Sequence, residues 1–496
     1  MSKITLLLIV LLFLTCSEGG AQPLKLDKML TPEGMKSDFG YLKGKLEATF
    51  PALYIHQSRE RVNWIFDSLQ NTMNQPMPLL QFYRKIAFLV AELRCEHSYC
   101  GPGNGFGELM HKIPCFPLQL HLAGKKPVVI VNGTSDTTIH PGDELISING
   151  KPIDSICRII YQYLPSDGFM TSGKAEALSS MMFSINYYMF VEQANAFEVV
   201  VQTATGNRIR KKFDRDLLLN NISRLALKNP VNKRVLDADK KAKSKMKGEW
   251  KLEWLQPAVA LITMRTFSAD TGKFIAAVDS FFSEIKTRKA EKLIIDLSYN
   301  GGGDEYLSAY LMRYLIDKPT RFMEEEYLIT DNDTLLAMSD VSEEIRKNKY
   351  EYITPLQNGK SQARISKYAL ELQTMQPQPN RFAGPVFLYV NGVTSSAAST
   401  FAAVAQSNKR AVVAGQETAG SFRGGGAVLG MNLKLPHSGI TTHTSLVYQV
   451  FATSGRDGNR GVIPDYEFVP GFEELLGEGN SWKQFMLTLP ALSIEN

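Results

Sequence analysis

The sequence predicts a multi-domain α/β protein. Its 496 residues exceed what one hydrophobic core usually organises. Hydrophobic residues at 44% and charged residues at 21% are ordinary globular values, which argues against disorder. From Trp250 onward, apolar strand-like runs alternate with helix-like segments, a pattern typical of an α/β layer with parallel strand pairs.

Charge gives no sign of a nucleic-acid or membrane-surface partner. The 55 basic and 50 acidic residues nearly balance at a net charge of +5. Basic residues concentrate only in the short stretch from Asp237 to Lys247, which we interpret as a solvated linker or helix face.

The N-terminus is typical of a secretory signal. Lys3 is followed by an apolar run from Ile4 to Leu14, too short for a bilayer span of ~20 residues, and then by small residues ending at Ala21. We therefore expect residues 1–21 to be a signal peptide cleaved after Ala21, and the protein to be periplasmic or extracellular. The alternative is a lipid anchor on Cys16, although Thr15 is larger than the residue such sites prefer.

Four cysteines remain after the signal, and an even number in an exported chain permits one or two disulfides. Their spacing does not define the pairing, and it lacks the Cys-x-x-Cys pattern of zinc sites. A bridge between the first two would enclose His97. The four are Cys95, Cys100, Cys115 and Cys157.

Residues 22–104 are predicted to form an N-terminal cap of helices. Apolar residues recur there at helical spacing, as in Trp64, Ile65, Phe66 and Leu69. The turn-forming cluster from Cys100 to Gly103 ends this part.

Residues 105–215 are predicted to be β-rich with a helical insert. Short apolar strands are separated by turns, and the stretch from Pro141 to Ile153, PGDELISINGKPI, resembles the strand, turn and helix that border the peptide groove of PDZ domains. The resemblance implies that an extended peptide adds as a strand. The alternative is an unrelated small β-unit.

An α/β core is predicted over residues 250–475, after a linker at 216–249. Predicted strands at 259–264, 293–297, 386–390 and 411–414 alternate with helices at 272–289 and 397–407 and one that begins near Asp304. A polar, aromatic insertion occupies 322–382, and a C-terminal tail follows at 476–496.

Ser396 is the candidate nucleophile. The run from Val390 to Phe401, VNGVTSSAASTF, leaves a strand through a tight turn and enters a helix. A hydroxyl there lies beside free amides and the positive end of the helix dipole, which favour a developing oxyanion. The alternative is a serine that only caps the helix.

The segment from Leu293 to Gly303, LIIDLSYNGGG, ends a buried strand in three glycines that allow close approach of the backbone. Together with the serine segment it resembles the tail-specific, or carboxyl-terminal-processing, peptidases and their tricorn-type relatives. The resemblance implies a crotonase/ClpP-like core, Ser396 as nucleophile, and an oxyanion hole made by the amides of Gly302 and Ala397.

The base departs from the processing-protease pattern. That branch has a lysine in the turn matching Gly415 to Arg423, where this sequence has none, and Arg423 stays protonated. Histidine is the natural replacement. The resemblance selects His97, because the histidine-using tricorn-type branch carries a Gly-His-Ser/Thr signature in the matching segment; here Glu96 replaces the glycine.

The third catalytic residue is predicted from the element Gly461 to Asp465, GVIPD. In the histidine-using branch that the sequence resembles, an acidic residue lies just before this element. Asp457 is the nearest acid upstream, although the family commonly has glutamate about one position later, where Gly458 stands. A dyad of Ser396 and His97 without Asp457 is the alternative.

These features predict an exported serine endopeptidase that acts on proteins or peptides through an acyl-enzyme, with no metal or organic cofactor. A catalytically inactive relative that binds a peptide or hydrophobic ligand is the alternative, since retinoid-binding repeats resemble the same core. Neither the cleavage preference nor the oligomeric state follows from the sequence.

Overall fold

The computed structural model describes residues 23–179, 181–245, 250–362 and 370–490. The predicted signal peptide and Cys16 lie outside this range. Helices and several sheets alternate in the described part, which confirms the predicted mixed α/β architecture.

Three helices open the described chain: Pro32–Thr49, Arg59–Asn71 and Leu79–Glu92. The hydroxyls of Thr31 and Ser58 accept hydrogen bonds from the first turns of the first two helices and define where they begin. The third helix is largely buried and ends near Arg94, whose positive φ of 55° turns the chain toward His97.

An antiparallel sheet follows, with Lys151–Pro152 as a short strand paired to one of its members. Its main strands, in spatial order, are Leu118–His121, Val128–Asn132, Glu144–Ile148, Phe197–Gln202 and Arg208–Phe213. Helix Ile153–Tyr161 follows the third strand. The segment between it and Phe197 forms helices Ser172–Leu178 and Met182–Asn186 and a π-helical turn at Tyr187–Val191. The likeness of this sheet and its helices to a PDZ domain stays a prediction.

The α/β core is a sheet of six strands, five of them parallel. In spatial order the strands are Trp250–Gln256, Val259–Met264, Lys292–Asp296, Val386–Val390, Ala411–Gly415 and Tyr466–Glu467. Helices Thr271–Thr287, Glu305–Met312 and Ala397–Ser407 connect or follow them. The predicted helix at 397–407 is confirmed to the residue. Parallel strands bring the ends at Asp296 and Val390 to one edge of the sheet.

Two smaller sheets accompany the six-stranded sheet. We call the first the flanking sheet; its strands, in spatial order, are Ser361–Gln362, Met323–Leu328, Tyr448–Phe451 and Gly424–Gly426. The second pairs Tyr99–Gly101 with Thr441–Ser445, which also pairs with Gly430–Lys434. The segment that follows His97 is therefore joined to the core by a strand.

The remaining elements are short or peripheral. The strands are Met29–Leu30, Met77–Pro78, Thr320–Arg321 and Thr374–Met375. The helices are Phe106–Met110, Leu219–Lys228, Pro230–Asn232, Lys233–Lys245, Asp333–Leu336, Glu343–Lys347, Lys349–Tyr352, Leu370–Leu372, Phe472–Leu475 and Ser481–Thr488. Within the described ranges, every helix is too short or too polar to cross a membrane.

The four cysteines are free thiols in the structure: Cys95, Cys100, Cys115 and Cys157. The bridge that would have enclosed His97 is therefore not formed. Burial raises the pKa of the Cys95 and Cys100 thiols to about 12, so both are protonated and unreactive at neutral pH.

Candidate active site

Ser396 occupies a strained turn between strand Val386–Val390 and helix Ala397–Ser407. Its φ is 49° and its ψ −133°, a conformation that costs a non-glycine residue energy and that clusters at functional sites. The half-buried side chain makes no capping hydrogen bond to the helix. A purely capping serine therefore does not account for this residue.

The glycine segment and the serine turn are fastened to each other by hydrogen bonds. The amide of Tyr299 donates to Asn391 Oδ1 at 3.0 Å, and the Thr394 hydroxyl donates to the Leu297 carbonyl at 3.0 Å. The Ser395 amide donates to the Asn300 carbonyl at 3.2 Å. The two segments that sequence analysis singled out thus form one rigid unit.

Gly302 lies directly against the predicted nucleophile. A Cβ added at this position would lie 2.6 Å from Ser396 Cβ and 3.0 Å from the Ala397 nitrogen, and the φ of +95° also disfavours any other residue. Its own N–H donates to Asn300 Oδ1 at 2.9 Å, so this amide already has an acceptor. The Ala397 amide belongs to the first turn of its helix, where N–H groups have no partner within the helix.

His97 lies in the turn between helix Leu79–Glu92 and strand Tyr99–Gly101, with 22% of its side chain exposed. Its Nε2 is 3.7 Å from Glu96 Oε1. The Glu96 carboxylate in turn accepts a hydrogen bond from the Ser396 backbone N–H. The Glu96 carboxylate therefore lies between the imidazole of His97 and the turn that carries Ser396. The two segments that it joins are about 300 residues apart in the sequence.

Asp167 is a site residue that the sequence analysis missed. Its buried carboxylate accepts hydrogen bonds from the amides of Glu96, at 2.8 Å, and Ser421, at 3.4 Å. Burial lowers the pKa of His97, and the charge of Asp167 opposes that shift. A lowered pKa keeps the imidazole neutral at physiological pH, as a general base must be.

The two carboxyl groups beside His97 are hard to ionise together. Burial, followed by the charge of Glu96, raises the pKa of Asp167 to about 7. Burial also raises the pKa of Glu96 to about 7, and the hydrogen bond from the Ser396 amide opposes that shift. The protonation of Asp167 therefore depends on the charges of both Glu96 and His97.

Asp457 lies on an exposed loop outside this group. Its Oδ1 accepts from the Asn459 amide at 2.9 Å. Burial lowers the pKa of His56 and the charge of Asp457 opposes that shift, whereas the charge acting on His97 is that of Asp167. The Asn459 carbonyl accepts from the amide of Phe169, so the two acid-bearing loops pack together. The structure thus gathers Ser396, Ala397, Gly302 and His97 and leaves Asp457 aside.

The described residues contain no group of three or more His, Cys, Asp or Glu side chains placed to hold a metal ion. In the turn from Gly415 to Arg423 the Ser421 amide supports Asp167. That turn carries a carboxylate-binding amide where the processing branch has its lysine.

A serine in a strained turn, a histidine and a close-approaching glycine define a site of the serine-hydrolase class. Residues 258–468 match the model of peptidase family S41. The α/β core is therefore an S41 peptidase domain, which confirms the predicted family and the assignment of the chain as a serine-type peptidase. The curated proteins gave no match to this sequence.

Solved structures of mature CPAF share the fold. Mature CPAF complexed with lactacystin aligns at a TM-score of 0.58 and 16% identity, over 92% of this chain and 97% of that one. A second structure of mature CPAF gives a TM-score of 0.57 at 15% identity, over 92% of this chain and 96% of that one. The photosystem II D1 C-terminal processing protease aligns over 88% and 94% at 16% identity, with a TM-score of 0.39.

Proposed function

We propose that this protein is an exported serine endopeptidase that cleaves proteins or peptides with Ser396 as nucleophile and His97 as base. The observation that carries the proposal is the Glu96 carboxylate, which contacts His97 Nε2 on one side and the Ser396 amide on the other. It supports a base segment held against the nucleophile turn.

In the proposed mechanism, neutral His97 removes the Ser396 hydroxyl proton while Oγ attacks the substrate carbonyl. The tetrahedral oxyanion accepts a hydrogen bond from the Ala397 amide. Gly302 contributes a second when its N–H exchanges Asn300 Oδ1 for the oxyanion. Protonated His97 then gives its proton to the leaving amine. In deacylation, His97 removes a proton from water as the water oxygen attacks the ester, and it returns that proton to Ser396 Oγ when the acid product leaves.

We assign the orienting carboxylate to Asp167 instead of Asp457. Asp167 is buried, its charge acts on His97, and two amide hydrogen bonds support its ionised form. Such a group stabilises the imidazolium formed during acyl transfer. Asp457 is exposed and hydrogen-bonded within its own loop, which argues against that role.

Labelling with a fluorophosphonate probe tests the mechanism, because these probes form a covalent bond only with an activated serine. We expect peptide mapping to place the label on Ser396, and labelling to be lost in Ser396→Ala and His97→Ala. Ser283→Ala and His140→Ala are matched controls on the exposed surface and should label normally. A folded protein without labelling or peptide hydrolysis would instead support the inactive binding protein.

The middle antiparallel sheet supplies the second part of the proposal, the docking of an extended peptide. The strand Arg208–Phe213 lies at the edge of that sheet, and most of its residues are exposed or half-buried. An added strand would receive main-chain hydrogen bonds there. Protection of this strand from hydrogen exchange by a peptide substrate of Ser396→Ala is the expected result; protection elsewhere only would contradict it.

Export is the third part of the proposal and rests on the N-terminal sequence. Processing after Ala21 makes Gln22 the first residue of the mature chain. N-terminal sequencing of protein recovered from the host's cell envelope or medium tests this. A mature chain that begins with an acylated Cys16 would overturn signal cleavage in favour of a lipid anchor.

A further inference from the structure

Three acidic residues lie on contacting elements beside the helix that begins after Ser396. Glu305 opens helix Glu305–Met312, Glu326 belongs to the flanking sheet, and Glu371 lies in the turn Leu370–Leu372. The Thr400 hydroxyl lies 3.1 Å from Glu305 Oε1 and 3.2 Å from the Ser396 carbonyl oxygen. The Thr400 side chain therefore links Glu305 to the backbone carbonyl of Ser396.

The hydrogen-bond partners of these carboxylates are neutral. Gln449 Nε2 donates to Glu326 Oε1 at 3.0 Å, and Ser308 Oγ lies 3.3 Å from Glu305 Oε2. Glu371 is only 8% exposed, and its Oε2 meets no hydrogen-bond partner in the described part of the chain. A buried carboxylate oxygen without a partner is costly, and proteins rarely keep one without a reason.

Mutual repulsion adds to the cost of burial. Burial raises the pKa of Glu305 to about 8, and the charge of Glu371 raises it further. Burial likewise raises the pKa of Glu371 to about 7, with a contribution from the charge of Glu326. An incoming cation would relieve this repulsion and give the free oxygen of Glu371 a donor.

We propose that Glu305, Glu326 and Glu371 form a subsite for the cationic side chain of a substrate lysine or arginine next to the bond that Ser396 attacks. This deepens the proposed function and rests on it. An organic cation suits these carboxyls because it brings hydrogen-bond donors of its own. Lysine and arginine also reach inward on long apolar stems with several donors at the tip.

Cleavage of paired peptides tests the subsite. Two quenched peptides differ only in lysine or uncharged norleucine on the acyl side of one cleavable bond. We expect wild-type kcat/KM to favour lysine at least about tenfold above pH 8, where the carboxyls are ionised, and less at pH 6. Glu371→Gln should reduce the lysine preference at least fivefold, while Glu344→Gln, an exposed acid of the same insertion, should keep it. Equal cleavage of both peptides by the wild type would overturn the proposal.

Binding to Ser396→Ala separates this inference from the proposed mechanism, because it needs no turnover. Fluorescence anisotropy of the labelled lysine peptide should show tighter binding than that of the norleucine peptide. Glu326→Gln added to Ser396→Ala should remove most of the difference, and it serves as a second variant if Glu371→Gln does not fold. Equal affinities would refute the subsite even if Ser396 labels as proposed, and a lysine preference without labelling would refute only the mechanism.

Discussion

The backbone N–H of Glu96 donates a 2.8 Å hydrogen bond to the carboxylate of Asp167, 71 residues later in the chain. Glu96 directly precedes His97, so this bond holds the backbone next to the imidazole in place. The Glu96 side chain faces the Ser396 turn. The acid thereby affects His97 in two ways, through its charge and through the backbone that carries the imidazole.

Replacing each aspartate in turn shows whether Asp167 or Asp457 is the carboxylate that orients His97. Asp167→Asn removes the charge that stabilises the imidazolium, and we expect kcat/KM to fall by about 10³- to 10⁴-fold. Loss of that charge also lowers the pKa of His97, so the acid limb of the pH profile should move to lower pH. Asp457→Asn should change kcat/KM by less than about threefold, as is usual for an exposed residue away from the chemistry. The reverse ranking would return the role to Asp457.

Local patterns predicted the residues that lie in recognisable segments. Ser396 and Gly302 follow buried strands, and parallel pairing brings those strand ends together. Asp167 had no such signal, because it lies in an irregular stretch of the helical insert and reaches the site only by tertiary contact with Glu96 and Ser421. The role of Glu96 was hidden for the same reason, since its contact with Ser396 joins distant segments.

The insertion at 322–382 shows that long-range pairing also limits what the sequence predicts about the fold. Its composition suggested an interruption of the core, yet Met323–Leu328 pairs with Tyr448–Phe451 in the flanking sheet. Pairing between strands so far apart leaves no periodicity in the sequence, whereas helix Ala397–Ser407 could be placed from its own residues.

Gly302→Ala tests the close approach of the glycine turn to the nucleophile. The added Cβ would meet Ser396 Cβ at 2.6 Å, so the turn or the serine must shift. We expect fluorophosphonate labelling to slow by at least about 10²-fold, the loss that follows removal of one oxyanion-hole donor. Gly272→Ala is the matched control, because its Cβ would meet only Asp270 Oδ1 at 3.5 Å at a helix start. Normal labelling of Gly302→Ala would show that the turn does not border the reacting atoms.

Asn300 is expected to control the Gly302 amide. Its Oδ1 accepts from Gly302 while its Nδ2 donates to the Met264 carbonyl at 3.1 Å, and the side chain is fully buried. Asn300→Asp keeps the size but places a negative charge beside the oxyanion, so kcat should fall by about 10²-fold with little change in KM. A rise in KM alone would indicate a role in substrate binding and contradict control of the oxyanion hole.

Glu96→Gln should stabilise the protein in a pH-dependent manner. Burial raises the pKa of Glu96 from 4.5 to about 7, so the folded state holds this proton more tightly than the unfolded state. Its contribution to stability is therefore complete below about pH 4.5 and is lost as the pH rises through about 7. Glutamine stays neutral and keeps an oxygen to accept from the Ser396 amide.

We expect the Glu96→Gln variant to exceed the wild type in unfolding free energy by about 1 to 3 kcal/mol at pH 8.5, and by much less at pH 5. Urea unfolding at both pH values measures the difference, with Glu344→Gln as an exposed control. An equal change at both pH values would mean that Glu96 does not titrate in the folded protein near neutrality.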